Sequence, residues 1–155
     1  MIFERAKRDD ISELCAMRLA YISEDSGELP ADRLKTIADT LPAYLGKHLE
    51  KDLYAFVCRE DGVIAGCCML YVSEKPPGAN FPTGRTGTVL NVYTMPDQRK
   101  KGIARRLMEM LISFSREQGL DYIELKATEA GYPLYKSLGF EDSVSHYHEM
   151  RFYCG

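Results

Sequence analysis

The run LYAFVCREDGVIAGCCMLYV, residues 53–72, leaves the chain little freedom. Two stretches rich in β-branched and aromatic residues flank Asp61-Gly62. That dipeptide suits a two-residue turn, in which both central residues take positive φ. The two stretches are therefore expected to lie side by side as an antiparallel hairpin. A hairpin by itself is marginal in water, so the rest of the chain must supply strands or helices to cover it.

The remainder supplies both. Residues 88–94, TVLNVYT, are rich in β-branched residues and read as a strand. The helix that follows carries Ile103, Leu107, Leu111 and Phe114 on one stripe and stops at Gly119, a residue suited to the left-handed position after a helix. DYIELKA, residues 121–127, is a further strand. Strand, helix and strand together predict a right-handed parallel crossover. Beside the antiparallel hairpin this makes the sheet mixed, with a change of mode near Asn91.

Upstream, residues 2–7 read as a first strand. Asp10 and Glu13 have the spacing of a capping box, ahead of a helix reaching about Ser23. A second helical stretch spans 31–50, with Pro42 placed to kink or split it. Residues 73–87 form a long loop with three prolines and three glycines, of the kind that serves as a lid or binding loop. Downstream, YPLYKSLGF is a short helix with Pro133 in its first turn, ending at Gly139. Residues 145–153 complete the chain as a last strand. The order is β-α-α-β-β-β-α-β-α-β. The expected fold is a single α/β domain over residues 1–155, with a mixed, mostly antiparallel sheet and helices on both faces.

Composition narrows the function. The formal charge is −3, with acidic and basic residues well mixed. Nothing in that balance suggests a general nucleic-acid binder, which would want a basic face and a high pI. Five cysteines lack the paired spacing of a zinc site and read as free thiols in a reducing, cytoplasmic compartment. The first ten residues hold no apolar segment of a secretory leader. The longest apolar run is too short to span a bilayer.

One segment conflicts with its surroundings. Arg99-Lys100-Lys101-Gly102-Ile103-Ala104 opens an apolar helix, where the helix's own positive end repels cations. An anion held there resolves the conflict. The first backbone N–H groups of a helix have no acceptor within it, and a phosphate satisfies them. Gly102 allows close approach of the main chain, and the three cations add attraction. The spacing is not that of a P-loop or of a dinucleotide fingerprint.

RKKGIA after a strand, with VYTMPDQ before it, resembles the signature of the GCN5-related N-acetyltransferases, Arg/Gln-x-x-Gly-x-Gly/Ala. LYKSLGF, residues 134–140, resembles that family's second motif, and the two stand in the expected order. The likeness is closest over residues 63–140. It implies acetyl-CoA as donor, with its pyrophosphate on the amides of Arg99, Lys100, Lys101, Gly102, Ile103 and Ala104. It implies that the pantetheine arm runs beside Val92, Tyr93 and Thr94, where the parallel strands splay apart. It also implies Tyr135 as the group that meets the leaving thiolate. Members often carry Asn and Ala where this chain has Thr128 and Gly131, and Thr128 is the expected coenzyme contact there. No metal is implied.

The implied reaction is direct attack of a primary amine on the thioester in a ternary complex. The amine belongs to a small molecule or to a protein. A phenol near pKa ~10 is a weaker acid than a thiol near ~8.5, so full proton transfer from Tyr135 is uphill by about 2 kcal/mol. A lysine-like amine costs roughly 4–5 kcal/mol to deprotonate at pH 7, so a base or water relay is expected. Glu74, Asn91 and Tyr93 are the candidates near the strands. His146 and His148 share a face of the last strand without a third ligand. Arg18, Tyr21, Glu24, Asp25 and Glu28 cluster where an acceptor would enter, and their acidic members suit a cationic amine. Cys67 and Cys68 have no adjacent histidine to activate a covalent route. A homodimer is compatible with the chain, as is a non-catalytic acyl-CoA sensor on the same fold.

Overall fold

The computed structural model describes residues 1–155. Its sheet has five strands in sequential order: β1 (Ile2–Arg5), β2 (Leu53–Glu60), β3 (Val63–Glu74), β4 (Arg85–Thr94) and β5 (Ile123–Glu124). The first four pair antiparallel, and β5 joins β4 in parallel. The hairpin forms as expected, with φ of 52° at Asp61 and 78° at Gly62.

The helices cover both faces. On one side α1 (Ile11–Ser26) and α2 (Ala31–His48) pack Leu14, Met17 and Leu45 onto Val57, Cys67 and Met69. On the other, α3 (Ile103–Glu117) packs Leu107, Met108 and Leu111 onto Cys68, Leu70 and Val89. Burying a leucine, methionine or valine side chain of this kind contributes roughly 1.5–3 kcal/mol. Adjacent cysteines thus serve two separate cores, because successive strand residues point to opposite faces. The short helix α4 (Tyr132–Ser137) adds Tyr135 to the α3 side. No helix is long and apolar enough to cross a membrane.

Five local expectations change, the first being that the strand expected over 121–127 contracts to Ile123–Glu124. The Asp10–Glu13 capping box does not form. Asp10 instead accepts from the Lys7 N–H (2.8 Å) and from Arg59 (2.6 Å), while Glu13 accepts from the Ile64 N–H (3.2 Å). Arg59 on β2 forms an ion pair with both carboxylates, at 2.6 Å from Asp10 and 3.6 Å from Glu13, and holds them away from the cap geometry. Pro42 does not break α2. It lies on the exposed side, where water can satisfy the carbonyl it orphans, while Leu45 and Leu49 anchor the turns that follow. The loop between β3 and β4 shortens to residues 75–84, because both strands run further than their apolar centres. Residues 145–153 form no strand. Met150 is 92% exposed and Phe152 88%. A strand needs a partner, and β5 offers only two residues to the ladder.

Candidate functional site

The site grows from two irregularities in β4. The first is a bulge. Cys67 faces Tyr93 and Met69 faces Leu90, so Asn91 and Val92 together oppose Cys68. Asn91 has φ of 52°, a left-handed value that Asn tolerates better than most residues. It is only 3% exposed, and its Nδ2 donates to Cys67 Sγ at 3.3 Å. Such bulges re-aim side chains and end regular pairing beside binding sites.

The second irregularity is the parallel edge. β4 and β5 share two ladder pairs, Gly87 with Ile123 and Thr88 with Glu124, and then separate. Beyond Thr88 no strand lines that edge of β4. Val92, Tyr93 and Thr94 lie in this open stretch.

At the end of β4 a turn, Pro96–Gln98, leads into α3. Lys100 and Gly102 take φ of 65° and 78°. Arg106 donates to the Gly102 carbonyl at 3.1 Å, while the amides of Arg99 through Arg105 have no main-chain acceptor. Left-handed residues beside a helix start give the concave amide surface that binds anions. A Cβ on Gly102 would meet nothing of the protein within 4 Å, so the left-handed φ and the open space in front of it explain the glycine. These features fit a diphosphate. Ile103 anchors the cradle from behind: its side chain is buried against Gly66 of β3.

The cationic side chains behave differently from one another. Arg99 turns back from the cradle, donating to the Thr94 carbonyl (2.9 Å) and to Glu24 (2.7 Å) and lying 5.5 Å from the Tyr93 ring centre. This ties the end of α1 to the end of β4. Lys101 donates to Gln98 at 2.9 Å. Lys100 is exposed at the turn. The hydrogen bond from Arg99 holds the Glu24 carboxyl below its ordinary value. Burial, followed by Glu24, pushes the Tyr93 phenol up.

Tyr135 is 9% exposed, with its ring edge-on to Phe140 at 5.9 Å. Its hydroxyl makes no hydrogen bond within the protein. Burial, with Tyr21 and Cys68 nearby, pushes it up to about 12. Thr128 Oγ1 accepts from the Gly131 N–H at 3.1 Å, which positions the start of α4. A Cβ at residue 131 would stand 2.9 Å from the Tyr135 ring, so glycine is what this ring placement admits.

The other candidates lie apart. Glu74 is exposed, 3.8 Å from Arg85. His146 and His148 lie on the exposed C-terminal segment, and no group of His, Cys, Asp or Glu has the arrangement of a metal site. Asp25 and Glu28 face solvent. Burial pushes the Cys67 thiol up to about 12 and the Cys68 thiol up as well, which removes both as nucleophiles. Residue order carried little sign of the Asn91 bulge and none of the Glu24–Arg99–Tyr93 link. Only the tolerance of Asn for positive φ hinted at the first.

The chain thus has a mixed sheet opened between a parallel pair, with a run of unpaired helix-start amides at one end of the opening. The acetyltransferase (GNAT) family model matches residues 17–140, and the chain belongs to that family. A GCN5-related N-acetyltransferase from Ralstonia eutropha JMP134 is 28% identical, covering 96% of this chain and 97% of its own, with a TM-score of 0.82. A predicted acetyltransferase of Clostridium acetobutylicum, solved with acetyl-CoA, is 27% identical over 97% of this chain and 95% of its own, with a TM-score of 0.81. A ribosomal-protein-alanine N-acetyltransferase from Brucella melitensis biovar Abortus 2308 shares the fold at 23% identity and a TM-score of 0.68, covering 98% of this chain and all of its own. No curated protein matches the chain.

Proposed function

We propose that the protein transfers an acetyl group from acetyl-CoA to the primary amine of a small molecule, by direct attack in a ternary complex. One observation carries the reading: the unpaired amides of Arg99 through Arg105, shaped by left-handed Lys100 and Gly102, at the mouth of the β4–β5 opening. The pyrophosphate would lie on that cradle and the pantetheine arm beside Val92, Tyr93 and Thr94. Thr128 retains a hydroxyl proton to offer the coenzyme.

The amine nitrogen forms a bond to the acetyl carbon, the carbon–sulfur bond breaks, and its electron pair leaves on sulfur. Main-chain N–H groups on the open edge of β4 polarise the carbonyl. Tyr135 donates its free hydroxyl to the sulfur. With the phenol near 12, full transfer to a thiolate of pKa ~8.5 would cost about 5 kcal/mol, so the tyrosine acts by hydrogen bonding. No side chain is poised as a base. Asn91 does not titrate, and Arg99 makes Glu24 a weak one. The amine proton therefore leaves through water. Calorimetry with acetyl-CoA, followed by release of free CoA thiol across an amine panel, tests the reading. Heat without thiol release would reduce the protein to a binding module, and no heat would remove the cradle itself.

A further inference from the structure

One charged group near the β4 opening has no part in that chemistry. On the α1–α2 side of the sheet a pocket of about 200 Å³ opens between the two helices and strands β2 to β4. Leu41, Tyr44, Leu53, Met69 and Leu90 give it apolar walls, and Arg18 is its one charged lining residue. Arg18 is half-buried and has no carboxylate of the protein at ion-pair distance. Its hydrogen-bond partner is Asn91 Oδ1, at a long 3.5 Å, and its guanidinium stands 5.7 Å from the centre of the Tyr21 ring.

We infer that the acceptor is an amine carrying a carboxylate on an apolar body, for which an apolar amino acid is the simplest form. The inference rests on the acetyl-transfer reading and names its substrate class. A half-withdrawn guanidinium gains most from a planar carboxylate, which takes two parallel N–H bonds. The walls beneath it offer an apolar side chain only hydrophobic partners. The geometry also sets where the amine goes. Leu90 lines the pocket, and Asn91, the next residue, is both the partner of Arg18 and the bulge of β4. A carboxylate on Arg18 thus brings an amine a few bonds away to the open edge of β4. There its nitrogen bonds to the acetyl carbon as the thiolate leaves, and its proton passes to water. A cationic acceptor finds no such complement. Of the acidic residues near the entrance, Glu24 is already paired with Arg99, and Asp25 and Glu28 lie outside the pocket wall.

The test measures CoA-thiol release at saturating acetyl-CoA. Leucine, methionine and phenylalanine are compared with their carboxamides, with isoamylamine and with putrescine. At least one of the three amino acids should exceed its own amide by about 10- to 100-fold in kcat/KM, the range of a charge-assisted pair. Arg18→Gln should bring that ratio near one, Arg18→Lys should keep part of it, and both should bind acetyl-CoA with unchanged affinity by calorimetry, which shows the variants folded. Turnover of putrescine or the amides at equal or better rates overturns the inference and leaves acetyl transfer standing. So does a ratio that survives Arg18→Gln. Acetyl-CoA binding without thiol release from any amine overturns the transfer reading and this inference together.

Discussion

Replacing Tyr135 by phenylalanine removes one oxygen and keeps the ring that packs against Phe140 in the α3-side core. The hydroxyl bonds to nothing in the protein, so the folded state loses little. The transition state loses a hydrogen bond to a developing thiolate, worth about 1.5–3 kcal/mol. At 1.4 kcal/mol per decade this lowers kcat by roughly 10- to 150-fold. In the proposed binding mode the diphosphate rests at the start of α3 and the pantetheine arm along β4, both away from the Tyr135 hydroxyl, so the affinity for acetyl-CoA should stay within about twofold, well under 1 kcal/mol. The pH dependence follows from burial. The folded phenol is raised from its ordinary 10 to about 12, so Tyr135 remains protonated through the working range. Its contribution to stability is full below pH 10 and is lost as the pH rises through 12. The kcat profile of the native enzyme should therefore show no fall due to Tyr135 up to about pH 10. Stopped-time thiol assays from pH 6 to 10, with calorimetry and thermal melts on both proteins, check each part. An unchanged kcat, or an equal loss in kcat and coenzyme affinity, would refute the argument.

Three further outcomes follow from the same geometry. Gly66→Ala would put a methyl group 2.8 Å from Ile103 Cγ2 and 3.3 Å from the Tyr93 carbonyl oxygen. It should destabilise the fold by about 1–3 kcal/mol in urea melts and weaken acetyl-CoA by pushing the start of α3 off the sheet. Gly102→Ala should cost about 1–2 kcal/mol for its left-handed φ and raise the acetyl-CoA Kd at least tenfold; a Kd that stays put would place the diphosphate elsewhere. Asp10→Asn should cost about 1–3 kcal/mol at pH 7. Burial alone would raise the Asp10 carboxyl, but the Lys7 N–H and Arg59 together hold it below its ordinary 3.8. That stability is present above pH 3.8 and lost as the pH falls through the lowered value. The gap between variant and parent in denaturation should thus start to narrow only below about pH 3.8 and close below the lowered value.

Much of this protein could be read residue by residue, and the rest could not, for physical reasons. Local rules act over a few residues, so a turn at Asp61-Gly62, an apolar stripe from Ile103 to Phe114 and a glycine-led helix start at Gly102 announce themselves in the chain. The run of unpaired amides at that helix start belongs to the same set because it consists of consecutive main-chain groups. Partner choice belongs to the other set. Asp10 and Glu13 satisfy every local condition for a cap, yet Arg59, far along the chain, takes them both. Arg99 looks free to meet a phosphate until folding brings Glu24 beside it. Residues 145–153 have strand composition, but a strand exists only where a neighbour supplies the ladder. The pocket under Arg18 draws on two helices and three strands, so its lining is spread over residues 18 to 90 and no single segment shows it. Chain order settles what each segment prefers by itself; which distant group satisfies each charge and each open edge is settled only when the layers pack.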